Sequence, residues 1–141
     1  MSGALVVDAS VAIKWVYAEE DSPRAVSLLS RRLVAPDLIH AECANILWKK
    51  VRRGEMSEEE AADAAAALLL VEWDMVPSAQ LISAAIGLAV ELDHPAYDCF
   101  YLELCRRREA MMVTADVRLI RRLAAANSAL GGIVVALSDF G

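Results

Sequence analysis

The chain has 141 residues, 57% of them hydrophobic and 24% charged, with a formal net charge of −6 from 20 acidic and 14 basic side chains. That apolar content excludes intrinsic disorder as the main state and suffices for one domain with a sizeable core. The acidic balance, taken alone, argues against a nucleic-acid partner, because phosphate binders usually carry a basic surplus.

Alanine is the most helix-prone residue, and it occurs 26 times against six glycines and four prolines. In chain order, Ala4–Val7 reads as a buried strand ending at Asp8. Ser10 is placed to cap a short helix to about Tyr17. Ser22-Pro23 starts a second helix, to about Arg32, with proline at the first helical position. Leu33–Ala35 is a short strand. Pro36-Asp37 opens a helix, capped by Asp37, that continues through Lys49 and Arg53 until Gly54. Ser57-Glu58-Glu59-Glu60 is a capping box for an Ala/Leu-rich helix ending near Val71. A strand at Asp74–Val76 precedes a helix from Ser78 to about Leu92. His94-Pro95 breaks the chain before a helix from Ala96 to Arg108. Met111–Val113 is a strand, a helix runs from about Ala115 to Ala126, and Ile133–Ala136 is the last strand. Short, uniformly apolar strands alternating with helices predict an α/β fold with a mostly parallel sheet covered on both faces.

The longest uncharged runs, Met75–Val90 and Leu123–Ser138, fall short of the ~20 apolar residues of a membrane span. The N-terminus lacks the basic-then-apolar pattern of a secretory leader. Cys43, Cys99 and Cys105 follow no framework spacing and read as buried free thiols, and no Cys/His cluster of zinc spacing is present. These features predict a soluble, cytoplasmic protein.

In open α/β sheets, ligands bind beyond the carboxyl ends of the strands. Asp8 follows the first strand directly. Asp116 follows the Met111–Val113 strand closely, beside Thr114. Asp98 falls in the first turn after Pro95, and Glu42 in the first or second turn after Asp37. Each acid alone has an ordinary explanation as a cap or dipole partner. Together they share a trait: all four sit among apolar or small neighbours, in VVDASV, HAECAN, PAYDCF and VTADVR. The acids at Glu19–Glu20, Glu58–Glu60, Asp63, Glu91 and Asp93 read instead as solvated faces. Converging carboxylates repel one another unless a cation is bound. Oxygen-only ligands suit magnesium or manganese, the composition of a metal-assisted phosphoryl-transfer or phosphodiester-hydrolysis site.

On the Glu42 helix, Glu42, Asn45, Lys49 and Arg53 fall at steps of three and four, hence on one stripe. Two readings stand for Lys49 and Arg53: a phosphate track leading to the acids, or a solvated face. Lys14, Arg106–Arg108 and the group Arg118, Arg121 and Arg122 read as solvated faces or dipole partners. Trp15, Trp48 and Trp73 read as core or dimer packing, and Tyr97 and Tyr101 as packing beside Asp98.

The runs VVDASVAIKW, APDLIHAECANILWKKVRRGEMSEEEA, HPAYDCFYLELCRRR and VTADVRLIRRLA, in order between Val6 and Phe140, resemble PIN-domain ribonucleases, and among them the VapC-type toxins of toxin–antitoxin pairs. The resemblance implies one PIN domain over residues 1–141, a three-layer α/β/α fold with a short, mostly parallel sheet. Its four acidic positions fall on Asp8, Glu42, Asp98 and Asp116. Asp8, Asp98 and Asp116 would ligate Mg²⁺, with Mn²⁺ as a substitute, and Glu42 would hold a water or a second metal. Ser10, Asn45 and Thr114 would support them. The implied activity is Mg²⁺-dependent endoribonucleolytic cleavage of RNA, held in check by a cognate antitoxin, in a protein that is commonly a homodimer.

Two other readings compete. A phosphatase of the haloacid-dehalogenase type needs a second Asp two residues after the first, where this chain has Ser10. A non-catalytic partner-binding module on a PIN-like fold remains the alternative from a different class. Rossmann and P-loop enzymes are set aside, since neither glycine-rich signature occurs.

Overall fold

The computed structural model describes residues 3–141. Five strands form one sheet: β1 (Ala4–Val7), β2 (Arg32–Pro36), β3 (Trp73–Val76), β4 (Met111–Thr114) and β5 (Val134–Ala136). Their order is β3-β2-β1-β4-β5, and every pairing is parallel. Parallel neighbours require crossovers, and seven α-helices supply them: α1 (Ala9–Ala12), α2 (Ser22–Ser27), α3 (Leu38–Arg52), α4 (Glu58–Leu69), α5 (Ile82–Leu92), α6 (Ala96–Arg108) and α7 (Val117–Ala125).

Alternation along β1 sorts the core into two layers. Ala4 and Val6 face one side, packing with Ile39 and Cys43 of α3, Leu102 of α6 and Leu119 of α7. Leu5 and Val7 face the other, with Ala25 and Leu28 around α2 and with Leu137. The α/β/α arrangement is therefore present, with its helices shared unequally between the faces.

Several boundaries differ from expectation. The first helix begins at Ala9, immediately after the strand, so Asp8 and not Ser10 is its N-cap. The second helix stops at Ser27 and tightens into a 3-10 turn over Leu28–Ser30, because β2 already starts at Arg32. Asp37 precedes α3 as expected, but its side chain makes no cap. Its Oδ1 accepts hydrogen bonds from the amide and hydroxyl of Ser78, tying the start of α3 to the turn after β3. The segment from Ser78 is split, a 3-10 turn at Ser78–Gln80 followed by α5.

Other signals hold as read. Ser57 and Glu60 form the reciprocal capping box. Gly54 ends α3 with φ of 74°. Its amide reaches the Val51 carbonyl and that of Glu55 reaches Lys50, the paired bonds of a Schellman stop. The three cysteines are buried and unpaired. Trp15 and Trp73 pack with ring centroids 5.6 Å apart. Trp48 instead lies exposed on α3, with the Arg52 guanidinium 5.4 Å from its ring. No helix among the described residues is long and apolar enough to cross a membrane.

Candidate active site

β1 and β4 are adjacent where the strand order reverses, the place where open α/β sheets leave a crevice beyond the strand ends. Their register pairs Val7 with Val113, so the next residues, Asp8 and Thr114, emerge side by side. Thr114 Oγ1 donates to Asp8 Oδ2 at 2.5 Å. Ser10 Oγ donates to Asp8 Oδ1 at 2.5 Å and accepts from the Ala115 amide at 2.9 Å. The Val11 amide also donates to Asp8 Oδ1. Thr114 Oγ1 in turn accepts from the Asp116 amide at 3.0 Å. Two hydroxyls thus link the turn after β1 to the turn after β4.

Asp8 is only 6% exposed. Burial pushes its carboxyl up from 3.8 to about 6, the neighbouring Asp98 charge adds to the rise, and the two hydroxyls and the amide oppose it. Among the described residues, no cation figures among the groups acting on it.

The other three acids arrive from separate helices. Glu42 sits in the second turn of α3, where its Oε1 accepts a hydrogen bond from the Tyr101 hydroxyl at 2.5 Å. Burial, with the charges of Asp8 and Asp98, raises the Glu42 carboxyl, and the tyrosine opposes that rise. Asp98 lies in the first turn of α6, its Oδ2 2.6 Å from His94 Nε2. Asp116 caps α7 by accepting from the Arg118 amide, and the Arg118 guanidinium holds its carboxyl below the ordinary value.

A cleft of about 580 Å³ opens here. Asp8, Ser10, Glu42, Asn45, Lys49, Asp116 and Arg118 line it, with Leu38, Ala41, Ile46 and Tyr97 as less polar wall. Asp98 does not line it, yet its charge acts on Asp8, Glu42 and Arg118. The stripe on α3 divides: Asn45 and Lys49 reach the cleft, whereas Arg53, the C-cap of α3, is not part of its lining.

Comparison with known proteins decides the family. The PIN domain matches residues 5–126. The chain belongs to the PIN-domain family. Over 129 residues this PIN domain is 31% identical to Ribonuclease VapC3 of Pyrobaculum aerophilum, covering 86% of this chain and 95% of that protein, which places it among the VapC-type members. A crystal structure of a Pyrobaculum aerophilum protein superposes with a TM-score of 0.67 at 23% identity, over 98% of this chain and 86% of that one. A toxin–antitoxin complex from Klebsiella pneumoniae gives 0.65 at 13% identity, over 94% and 97%. At these identities the two structures speak to the fold.

VapC-type PIN domains use a divalent metal. The residues of this PIN domain fit one chemically: the donors are all oxygen, and Asp8 is a buried carboxylate with no cation acting on it among the described residues. Among the described residues, however, no three acid, imidazole or thiol groups already stand as a finished coordination site. The side-chain partners explain this. Asp116 is turned to Arg118, Asp98 to His94 and Glu42 to Tyr101.

Those three partners are what sequence reading missed. His94 reads only as a chain break, although its spacing of four from Asp98 is a local clue. Arg118 reads as a solvated cation, yet it stands in the first turn of α7 and grips the capping acid. Tyr101 reads as packing. It is packed, at 1% exposure, and it also carries the hydrogen bond to Glu42. That pairing joins residues 59 apart, so no local pattern announces it.

Proposed function

We propose that this PIN domain, one domain over residues 1–141, is a Mg²⁺-dependent endoribonuclease acting as the toxin of a toxin–antitoxin pair, and that Mn²⁺ substitutes for Mg²⁺. Its catalytic and metal-holding residues are Asp8, Glu42, Asp98 and Asp116, supported by Ser10, Asn45 and Thr114. The observation that carries this reading is the arrival of three acids, Asp8, Glu42 and Asp116, from three separate segments at one cleft beyond the ends of β1 and β4, with the charge of Asp98, from a fourth segment, acting on Asp8 and Glu42. The relative named Ribonuclease VapC3 and the likeness to a toxin–antitoxin complex support RNA as substrate and an antitoxin as partner.

Asp8, Glu42, Asp98 and Asp116 would hold the metal, which when bound supplies Lewis acidity that lowers the pKa of water and offsets charge on the scissile phosphate. Ser10 and Thr114 hold both Asp8 oxygens in fixed directions. Lys49 offers a cation on the approach to the acids, and the Asn45 amide can donate to a phosphate or sugar oxygen. The phosphate contacts are sequence-independent, so any preference for particular bases is set elsewhere on the cleft wall. The protein acts in the cytoplasm as a homodimer. The apolar side chains Ile82, Ile86 and Val90, exposed at steps of four along α5, are compatible with a second copy packing there.

The test is cleavage of total RNA by the purified protein with Mg²⁺ or Mn²⁺, with cut sites mapped. Cleavage is expected to vanish in EDTA and in Asp98→Asn. Undiminished cleavage in either condition overturns the reading.

A further inference from the structure

Glu42 has the longest side chain of the four acids and therefore the most rotamer freedom to lose on being held. It is only half-buried, and α3 on its own does not fix it. Tyr101 lies on α6 and is the largest fully buried side chain among the described residues. Its ring is clamped in the core, so its hydroxyl is a donor at a fixed point. That hydroxyl meets Glu42 Oε1 at 2.5 Å. A buried hydroxyl without a partner is costly, so the bond is under pressure from both ends.

The consequence is geometric. With Oε1 engaged by the tyrosine, one oxygen of Glu42 is left for anything in the cleft. The carboxylate is held in one rotamer. A neutral donor does this without introducing a cation that would compete for the acids. Arg118 shows the contrast, since it grips Asp116 through both oxygens.

We infer that Tyr101 is a positioning residue of the active site, whose hydroxyl fixes Glu42 so that it offers a single oxygen to the divalent cation. This rests on the reading of Glu42 as part of the metal site. Groups that orient metal ligands typically alter affinity by about 10- to 100-fold when removed. A single neutral donor to one of four acids belongs at the low end of that range.

The experiment measures Mn²⁺ binding alone, from the free-ion electron paramagnetic resonance signal, for the full chain and for Tyr101→Phe, Glu42→Ala and the double variant. Tyr101→Phe is expected to weaken Mn²⁺ binding about tenfold, with no further loss when Glu42 is already alanine. Wild-type affinity in Tyr101→Phe, while Glu42→Ala is impaired, overturns the inference alone. So does a tyrosine effect that adds in full to that of Glu42→Ala, because it must then act through something else. Wild-type affinity in Glu42→Ala overturns the underlying reading of the site instead. Should Tyr101→Phe fail to fold, Glu42→Asp withdraws the carboxylate from the hydroxyl. It is expected to weaken Mn²⁺ binding comparably, and wild-type affinity there overturns the inference.

Discussion

Arg118 grips the carboxylate of Asp116 from two sides, its Nε 3.0 and 3.2 Å from the two oxygens and its Nη2 2.7 Å from Oδ2. The arginine is 82% exposed in its side chain, so it can leave without unfolding anything. It occupies the charge that a metal would use. Arg118→Ala is therefore expected to bind Mn²⁺ about two- to fivefold more tightly, the range that an exposed ion pair can withhold. Titration calorimetry checks it, and unchanged or weaker binding would show that Asp116 is not being held back.

Asp8 makes the metal-free protein pH-sensitive. Its carboxyl titrates at about 6 in the folded state against 3.8 when unperturbed, so between those values the folded protein keeps a proton that the unfolded chain releases. Stability of the metal-free protein therefore falls as pH rises from about 4 to about 6, and the loss persists above. Asp8→Asn removes the buried charge. At pH 7.5 and without metal it is expected to be the more stable protein by about 2–3 kcal/mol, from the size of the shift, with the gap closing toward pH 4. Adding Mn²⁺ is expected to raise the melting temperature of the wild type and not of the variant. Parallel melting curves across the pH range would contradict this.

Lys49 and Arg53 share a helix stripe, yet only Lys49 lines the cleft. Lys49→Ala is expected to raise the KM for RNA and to reduce the slope of its salt dependence by about 0.7, the value for one contact to a single strand. Arg53→Ala is expected to leave both unchanged. Kinetics at several salt concentrations separate the two, and equal effects would restore the whole stripe as a track.

Glu103 is a buried carboxylate on α6, reached from the surface by Arg106 and Arg107 in the last turn. Arg107 Nε donates to its Oε2 at 2.8 Å. Arg106 Nε lies 3.0 Å from Oε1 without hydrogen-bond alignment, and Oε1 has no hydrogen-bond partner. Removing both arginines leaves the buried charge uncompensated. The double alanine variant is expected to lose about 3 kcal/mol in urea unfolding, and Glu103→Gln distinctly less. A larger loss in Glu103→Gln would mean that the carboxylate itself, rather than its compensation, matters to the fold.

Much of this was legible from local chemistry. Apolar runs marked β1 and β4, the Ser57 box and Gly54 marked helix ends, and three of the acids in apolar company, Asp8, Glu42 and Asp116, fall on the candidate cleft. What escaped depended on contacts across the fold. Asp37 looks like a cap until Ser78, 41 residues away, offers it two donors. Ser10 looks like a cap until the helix starts two residues earlier than that cap would allow, and its hydroxyl turns to Asp8 and to the Ala115 amide, 105 residues away. Tyr101 carries no special spacing, and its reach to Glu42, 59 residues away, comes from where α6 points it; Arg118 is the local exception, since Asp116 stands only two residues before it.

The bond between Asp8 and Thr114 spans 106 residues, and β1 meets β4 only after both flanking crossovers are made. During synthesis, then, the first acid waits through most of the chain for its neighbours. Until β4 leaves the ribosome, β1 has a partner on one side only and the cleft has no second wall. Because domain folding must follow emergence of the strands it joins, the acid cleft of this chain cannot assemble until β4, with Thr114 106 residues after Asp8, has emerged from the ribosome.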